Sequence, residues 1–120
     1  MTLPSRPKIF RDPVHGFIGL DTRTELPIVD TKEFQRLRRI RQLGVTFLTY
    51  HGGDHSRFAH SFGVFHLFCK VIDRLKSIKV LPDSEDVEAG RFAALLHDVG
   101  HGPFSHVMEG KLVGNSHEIW

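Results

Sequence analysis

The first part of the chain alternates short apolar runs with turn-forming residues. Within residues 8–20, the hydrophobic positions are interrupted by Asp12-Pro13 and again by His15-Gly16. Short apolar runs bounded by Gly, Pro and Asp are typical of two strands joined by a tight turn, in which glycine supplies the positive φ. The pattern therefore predicts a small β-hairpin over residues 8–20.

A helical pattern follows and predicts a first helix over residues 31–43. Asp30 is a suitable N-cap, Glu33 completes the spacing of a capping box, and Gly44 is a natural stop. Three apolar residues recur at helical spacing and are expected to face the core: Phe34, Leu37 and Ile40.

Three more helices are predicted downstream, over residues 56–75, 84–99 and 103–110. The first of these is apolar on two faces and the second is apolar all round in its middle, so both are expected to be buried. Gly100 ends the second, and Pro103 suits the first position of the last. The fold is therefore predicted to be all-α with a small N-terminal β-hairpin.

The composition narrows the class of protein. A chain of 120 residues with 40% hydrophobic and 25% charged residues is typical of one globular domain. The net charge of +2 is too small to indicate nucleic-acid binding, and the basic segment 32–41 lacks the repeated aromatic residues of a single-strand platform. A lone Cys69 excludes an internal disulfide, and no apolar stretch is long enough for a signal peptide or a membrane span. These features predict a cytoplasmic protein with no membrane partner.

Nine histidines are the unusual feature of this composition. His97-Asp98 stands at the end of an apolar helix, where an imidazole and a carboxylate could bind one divalent cation. His60 interrupts an apolar stripe on the preceding helix, and a buried imidazole must either hydrogen-bond to a carbonyl or bind a ligand. The further histidines nearby are His101, His106 and His117. Solvated loop histidines are the alternative, but their number favours a metal centre.

The same residues carry a family resemblance. Arg57-Phe-Ala-His60-Ser-Phe-Gly63 and the run from His97 to His106 resemble the HD superfamily, most closely its dNTP triphosphohydrolases. Asp12-Pro-Val-His-Gly16 and the basic run over residues 33–44 resemble the same subgroup. The resemblance extends collinearly over residues 8–117.

The resemblance implies a reaction and a set of residues for it. A dNTP would be hydrolysed to the deoxynucleoside and intact triphosphate, in the presence of one divalent transition metal (Fe, Mn, Zn, Ni or Co) and with Mg²⁺ on the substrate phosphates. The implied metal ligands are His60, His97 and Asp98, with a later aspartate completing the set. The implied catalytic residues are His101, His106, His117 and Glu109. Among them His106 would protonate the departing 5′ oxygen, and Glu109 would hold its imidazole.

The resemblance also implies nucleotide contacts and partners. The residues implied to contact substrate are Arg57 on the triphosphate and Gln42 and Leu43 near the sugar and base. The residues implied to contact a regulatory guanine nucleotide between subunits are Lys8, Ile9, Asp30, Gln35 and Arg38. A homo-oligomer follows from that arrangement. The remaining basic residues of this segment, Arg36, Arg39 and Arg41, are expected to form a solvated face.

One departure from the family pattern leaves alternatives open. No aspartate follows Asp98, so the sequence predicts the N-terminal part of a longer HD domain. A nucleotide-binding or regulatory module without turnover is one alternative to the enzyme. An HD phosphodiesterase acting on cyclic or linear nucleotides is another.

Overall fold

The structure is a computed structural model, and it describes residues 6–81 and 84–104. It opens with an antiparallel hairpin of β1 (Lys8–Asp12) and β2 (Gly16–Leu20), as predicted. The Asp12 carboxylate accepts hydrogen bonds from the backbone N–H groups of Val14 and His15 at 2.9 and 2.8 Å, which closes the turn. Gly16 has a φ of +80°, a value that glycine adopts without strain.

The segment after the hairpin differs from the prediction. A short helix, α1 (Glu25–Val29), comes first, and α2 follows over Lys32–Gln35. The N-cap of α2 is Thr31, whose hydroxyl accepts from the N–H of Phe34 at 3.3 Å. The prediction of Asp30 in that role was wrong, because Asp30 is instead the C-cap of α1.

The predicted helix over residues 31–43 is also interrupted. The chain tightens into a 3₁₀ helix over Arg36–Arg39 and turns extended at Ile40. The N–H of Arg57 donates to the carbonyl of Ile40 at 2.8 Å, and the N–H of Gln42 donates to the carbonyl of His55 at 3.0 Å. These two bonds form an isolated bridge between residues 41 and 56, so tertiary pairing ends the helix before the glycine does.

Two longer helices complete the described fold. Ser56 caps α3 (Arg57–Ser77), and its hydroxyl accepts from the N–H of Ala59 at 3.2 Å. The next helix, α4, runs over Glu85–Leu96 and ends three residues earlier than predicted, because residues 97–100 form turns. Residues 105–110 of the predicted helix over 103–110 lie outside the described residues.

The core lies between the hairpin, the short helices and one face of α3. Phe58 and Phe62 stack with ring centroids 4.6 Å apart, and the ring of Phe34 meets Phe58 edge-on at 5.4 Å. The other face of α3 was predicted to be buried too, but Leu67 and Val71 are 51% and 56% exposed. Only the phenylalanine face of α3 therefore packs into the described core.

Two contacts hold α4 against this core. An ideal Cβ on Gly90 would lie 2.5 Å from the ring of Phe68, so α3 and α4 approach as closely as glycine allows. Nη2 of Arg91 lies 2.7 Å from the buried carboxylate of Glu25 on α1. Within residues 6–81 and 84–104, no helix has both the length and the apolar character needed to cross a membrane.

Candidate metal centre

The first turn of α3 meets the C-terminal end of α4. His60 lies in that first turn, while His97 and Asp98 directly follow the last residue of α4. Nε2 of His60 lies 3.2 Å from Nε2 of His97, and the two rings are edge-on with centroids 5.2 Å apart. One ligand atom from each of the three residues falls within 4.8 Å of the others. The structure thus brings together the three residues that the sequence analysis named as metal ligands.

The hydrogen bond of His97 fixes its tautomer. Nδ1 lies 2.9 Å from the backbone carbonyl of Ala94. A carbonyl only accepts, so the proton is on Nδ1 and the Nε2 of the neutral ring carries its lone pair. Nε2 faces His60 and lies 3.5 Å from Oδ1 of Asp98. A histidine that donates one ring N–H to a carbonyl and presents the other nitrogen is a common arrangement at metal sites.

Asp98 is the buried member of the cluster. Its side chain is 7% exposed, and Oδ2 lies 2.8 Å from Nη1 of Arg57, an ion pair whose angles do not form a hydrogen bond. Oδ1 lies 3.5 Å from the Nε2 atoms of both His97 and His101. Oδ2 therefore faces the guanidinium of Arg57 and lies 3.8 Å from Nε2 of His60, while Oδ1 faces the other two imidazoles.

The electrostatics of His60 favour the neutral ring. Burial lowers the pKa of His60 below its usual 6.5, and the neighbouring His97, His55 and Arg57 lower it further, while Asp98 opposes the shift. A neutral imidazole is the form that ligates a cation. The side chains of His60 and His97 are 33% and 36% exposed, so the described residues leave the cluster partly accessible.

The donor set fits a divalent cation. Two imidazole nitrogens and one carboxylate suit transition metals in general, and the buried Oδ2 of Asp98 has no hydrogen bond from the described part of the chain. His60, His97 and Asp98 could hold such an ion, and the donor types alone do not select one metal.

Only some of the remaining predicted active-site residues lie beside the cluster. Arg57 and His101, each 2% exposed, lie against Asp98. Gln42 and Leu43 lie in the loop after the 3₁₀ helix, and the following Gly44 approaches the backbone of Phe104, beyond the cluster. The other predicted catalytic residues lie outside the described residues: His106, Glu109 and His117.

The residues predicted to bind a regulatory nucleotide are only partly brought together. Nε of Arg38 donates to the side chain of Gln35 at 2.7 Å, and its guanidinium lies 3.6 Å from the ring centroid of Phe58. Arg38 also lines a cavity of about 250 Å³ with residues 10–13. The lining of this cavity does not include Lys8, Ile9, Asp30 or Gln35.

Sequence reasoning missed a cleft beside His60. The turn of the hairpin and the first turns of α3 enclose about 350 Å³, and the histidines on its wall are His15, His55 and His60. Gly63 forms part of the floor, where an ideal Cβ would lie 2.9 Å from Nε2 of His15. The Asp12-Pro-Val-His-Gly16 motif was the available signal, because it places His15 at the turn.

Arg36 was also missed, since it was assigned to a solvated face. Its guanidinium donates to the backbone carbonyls of Val99 and His101, 63 and 65 residues away in the sequence. A basic residue in a basic segment gives no local signal of such a contact.

Comparison with known proteins identifies the family. The sequence model of the HD domain matches residues 57–120, more than half of the chain. The chain belongs to the HD domain family. HD proteins form a superfamily of metal-dependent phosphohydrolases. His60, His97 and Asp98 all lie within the matched residues 57–120.

Similar HD proteins come from distant organisms. The uncharacterised protein YwfO of Bacillus subtilis is 47% identical over 105 residues, covering 88% of this chain and 24% of that protein. The human deoxynucleoside triphosphate triphosphohydrolase SAMHD1 is 41% identical over 108 residues, covering 88% of this chain and 17% of that protein. This chain therefore spans a quarter or less of the length of these curated relatives.

The fold has close counterparts among solved structures. A crystal structure of a phosphohydrolase from Bacteroides thetaiotaomicron matches with a TM-score of 0.88 and 45% identity, covering 94% of this chain and 28% of that one. The predicted HD-type fold with an N-terminal hairpin is thereby confirmed.

Proposed function

We propose that this chain supplies the metal-binding part of a dNTP triphosphohydrolase active site. The observation that carries the proposal is the convergence of His60, His97 and Asp98, with ligand atoms within 4.8 Å. The identity to vertebrate deoxynucleoside triphosphate triphosphohydrolases, 41% for the human protein, supports the choice of a dNTP among phosphate substrates. The products would be a deoxynucleoside and inorganic triphosphate.

The residues of this chain would have separate roles in that reaction. A divalent cation bound by His60, His97 and Asp98 would lower the pKa of water and polarise a phosphate oxygen. Arg57 holds Asp98 in place from a buried position, and His101 lies on the other side of the same carboxylate. The cleft beside His60 provides space for part of a nucleotide next to these groups. The same proposal includes His106 as the proton donor held by Glu109, and His117 as a further active-site histidine. It also includes Gln42 and Leu43 near the sugar and base.

Regulation by a guanine nucleotide, with homo-oligomer formation, is proposed together with this activity. The cavity between β1 and Arg38 supports it, since a guanidinium beside a cavity suits a phosphate group. Lys8, Ile9, Asp30 and Gln35, which do not line this cavity, would contact the parts of the nucleotide that lie outside it.

Nucleotide binding without turnover is the second candidate. The ion pair between Asp98 and the buried Arg57 favours it, because this contact gives the carboxylate a partner without any cation. Saturable binding of a dNTP without product would distinguish this candidate from the enzyme.

Metal analysis and product analysis on the same samples test the proposal. The chain and its His97→Ala/Asp98→Ala variant would be analysed for bound transition metal and incubated with dNTPs. The exposed loop residue His51 offers the matched control, as His51→Ala. We expect metal in the wild type and the control but not in the double variant, and triphosphate release that follows the metal.

Each product has a separate meaning. A nucleoside monophosphate would indicate a phosphodiesterase instead. Equal metal in the wild type and the double variant would reject the proposed centre.

A further inference from the structure

Arg36 joins the 3₁₀ helix to the turn that follows α4. Nη1 donates to the carbonyl of Val99 at 2.9 Å, and Nη2 donates to the carbonyl of His101 at 2.5 Å. These carbonyls lie on either side of Gly100, so one guanidinium spans the turn. The two donors of a planar guanidinium are fixed relative to each other, and they fix the two acceptors in turn.

The turn also has hydrogen bonds of its own. The N–H of Val99 donates to the carbonyl of Leu96 at 3.0 Å, and the N–H of His101 donates to that of Asp98 at 3.2 Å. Val99 and His101 lie beyond the end of α4 at Leu96, so the helix supplies no N–H for their carbonyls, and they are near the negative end of the helix dipole. A cation with two directed donors suits this position in both charge and geometry.

The base of Arg36 is well anchored. Its neighbours Phe34 and Leu37 are both 0% exposed, and the N–H of Arg36 donates to the carbonyl of Lys32. The backbone at Arg36 is therefore held in place by the core, and the two hydrogen bonds of its side chain restrict the motion of the turn.

We propose that Arg36 is a positioning residue for the metal centre. Its guanidinium donates to backbone carbonyls and not to a candidate ligand, and these carbonyls belong to the turn from which the side chains of His97 and Asp98 meet His60. The effect on metal binding rests on the proposed function. The effect on the order of the turn does not depend on it. Metal ligands depend on such supporting contacts for their orientation.

Three variants test the proposal. Arg36→Ala removes both hydrogen bonds, and Arg36→Lys keeps the charge but cannot hold both carbonyls in one plane. Arg39→Ala is the matched control, since Arg39 is exposed on the same 3₁₀ helix. Each would be titrated with Co²⁺, whose visible absorption reports ligand geometry, and its amide hydrogen exchange would be measured.

We expect Arg36→Ala to bind Co²⁺ about tenfold more weakly, as is usual when a supporting contact of a metal site is lost. Its Co²⁺ spectrum should change in shape while the circular dichroism stays that of a folded protein. Arg36→Lys should fall between Arg36→Ala and the wild type, and Arg39→Ala should match the wild type. Wild-type affinity and an unchanged spectrum in Arg36→Ala would overturn the proposal.

Hydrogen exchange separates this inference from the proposed function. If the wild type binds no Co²⁺, the proposed metal centre fails, but the amides of Val99 and His101 still report on the turn. Both should lose protection in Arg36→Ala and keep it in Arg39→Ala. Equal protection in the two variants would show that Arg36 does not order the turn. If Arg36→Ala does not fold, Arg36→Lys decides by the same two measurements.

Discussion

Nε2 of His60 lies 3.2 Å from Nε2 of His97, although 37 positions separate the two residues in the sequence. The cap of α3 at Ser56 fixes the first, and the end of α4 fixes the second. Two imidazoles this close cannot both be protonated without mutual repulsion, so they favour one shared proton or one shared cation. The predictions below follow from this arrangement and from the contacts that support it.

Metal should stabilise the folded chain. A cation that binds the folded state alone, at about 100 times its dissociation constant, adds about 2.7 kcal/mol to the free energy of unfolding. Thermal unfolding with and without added Mn²⁺ would show the shift, and a chelator should reverse it. His60→Ala should abolish the shift, whereas His51→Ala should retain it. An equal shift in His60→Ala would place the bound metal elsewhere.

Loss of one partner from the buried ion pair should be costly. The side chains of Arg57 and Asp98 are 2% and 7% exposed, and removal of one member of such a pair typically costs about 3–5 kcal/mol. We therefore expect Asp98→Asn to lower the free energy of unfolding by that amount in metal-free urea titrations. Glu33→Gln breaks the exposed pair with Lys32 and should cost less than about 1 kcal/mol. Similar losses in the two variants would contradict the buried pair.

The free energy of unfolding should rise with pH up to about pH 6.5. Burial lowers the pKa of His60 and also that of His66, so between their folded pKa values and 6.5 the unfolded chain binds more protons. This contribution is complete above about pH 6.5 and is lost as the pH falls towards the folded pKa values. Urea unfolding in chelator at several pH values would show it. The His60→Gln variant should have a smaller slope, and an unchanged slope would be inconsistent with the lowered pKa of His60.

The contact between α3 and α4 should not tolerate a methyl group at residue 90. In Gly90→Ala the new Cβ would lie 2.5 Å from the ring of Phe68. Overpacking costs about 1–3 kcal/mol, and the better helix propensity of alanine returns about 1 kcal/mol, so a net loss of about 1 kcal/mol is expected.

A double-mutant cycle tests the cause of that loss. In combination with Phe68→Leu, the Gly90→Ala change should become neutral or stabilising, because the clash is gone. Gly52→Ala is the control, since no heavy atom lies within 4 Å of its ideal Cβ. Additive effects in the cycle would mean that another contact limits residue 90.

Local signals in the sequence predicted the hairpin and the two long helices closely. Ser56 and the phenylalanine face of α3 lie within a few residues of each other, so a short stretch of sequence is enough to predict this helix. The short helix α1 was not predicted, because its five residues, which include Pro27, are too few to show a helical period. In the structure Pro27 lies in the first turn, where a missing N–H costs nothing.

The candidate site was predictable in part for the same reason. The residue types of His60, His97 and Asp98 and their places on neighbouring helices indicated a metal centre, and the structure brings these side chains together. The ion pair of Asp98 with Arg57 and the hydrogen bonds of Arg36 join residues that are far apart in the sequence, so no local pattern predicts them.

The bridge between residues 41 and 56 has a consequence for how the chain could vary. It closes the loop at its base, through the bonds from Gln42 to His55 and from Arg57 to Ile40. Each doubling in the length of a closed loop costs only about 0.6 kcal/mol of chain entropy. An insertion at the exposed Gly52 would therefore be accommodated above the bridge, leaving the start of α3 in place. We therefore expect this loop to accept a foreign peptide, such as an epitope or a fluorophore tag, while the first turn of α3, which carries His60 of the candidate metal centre, keeps its position.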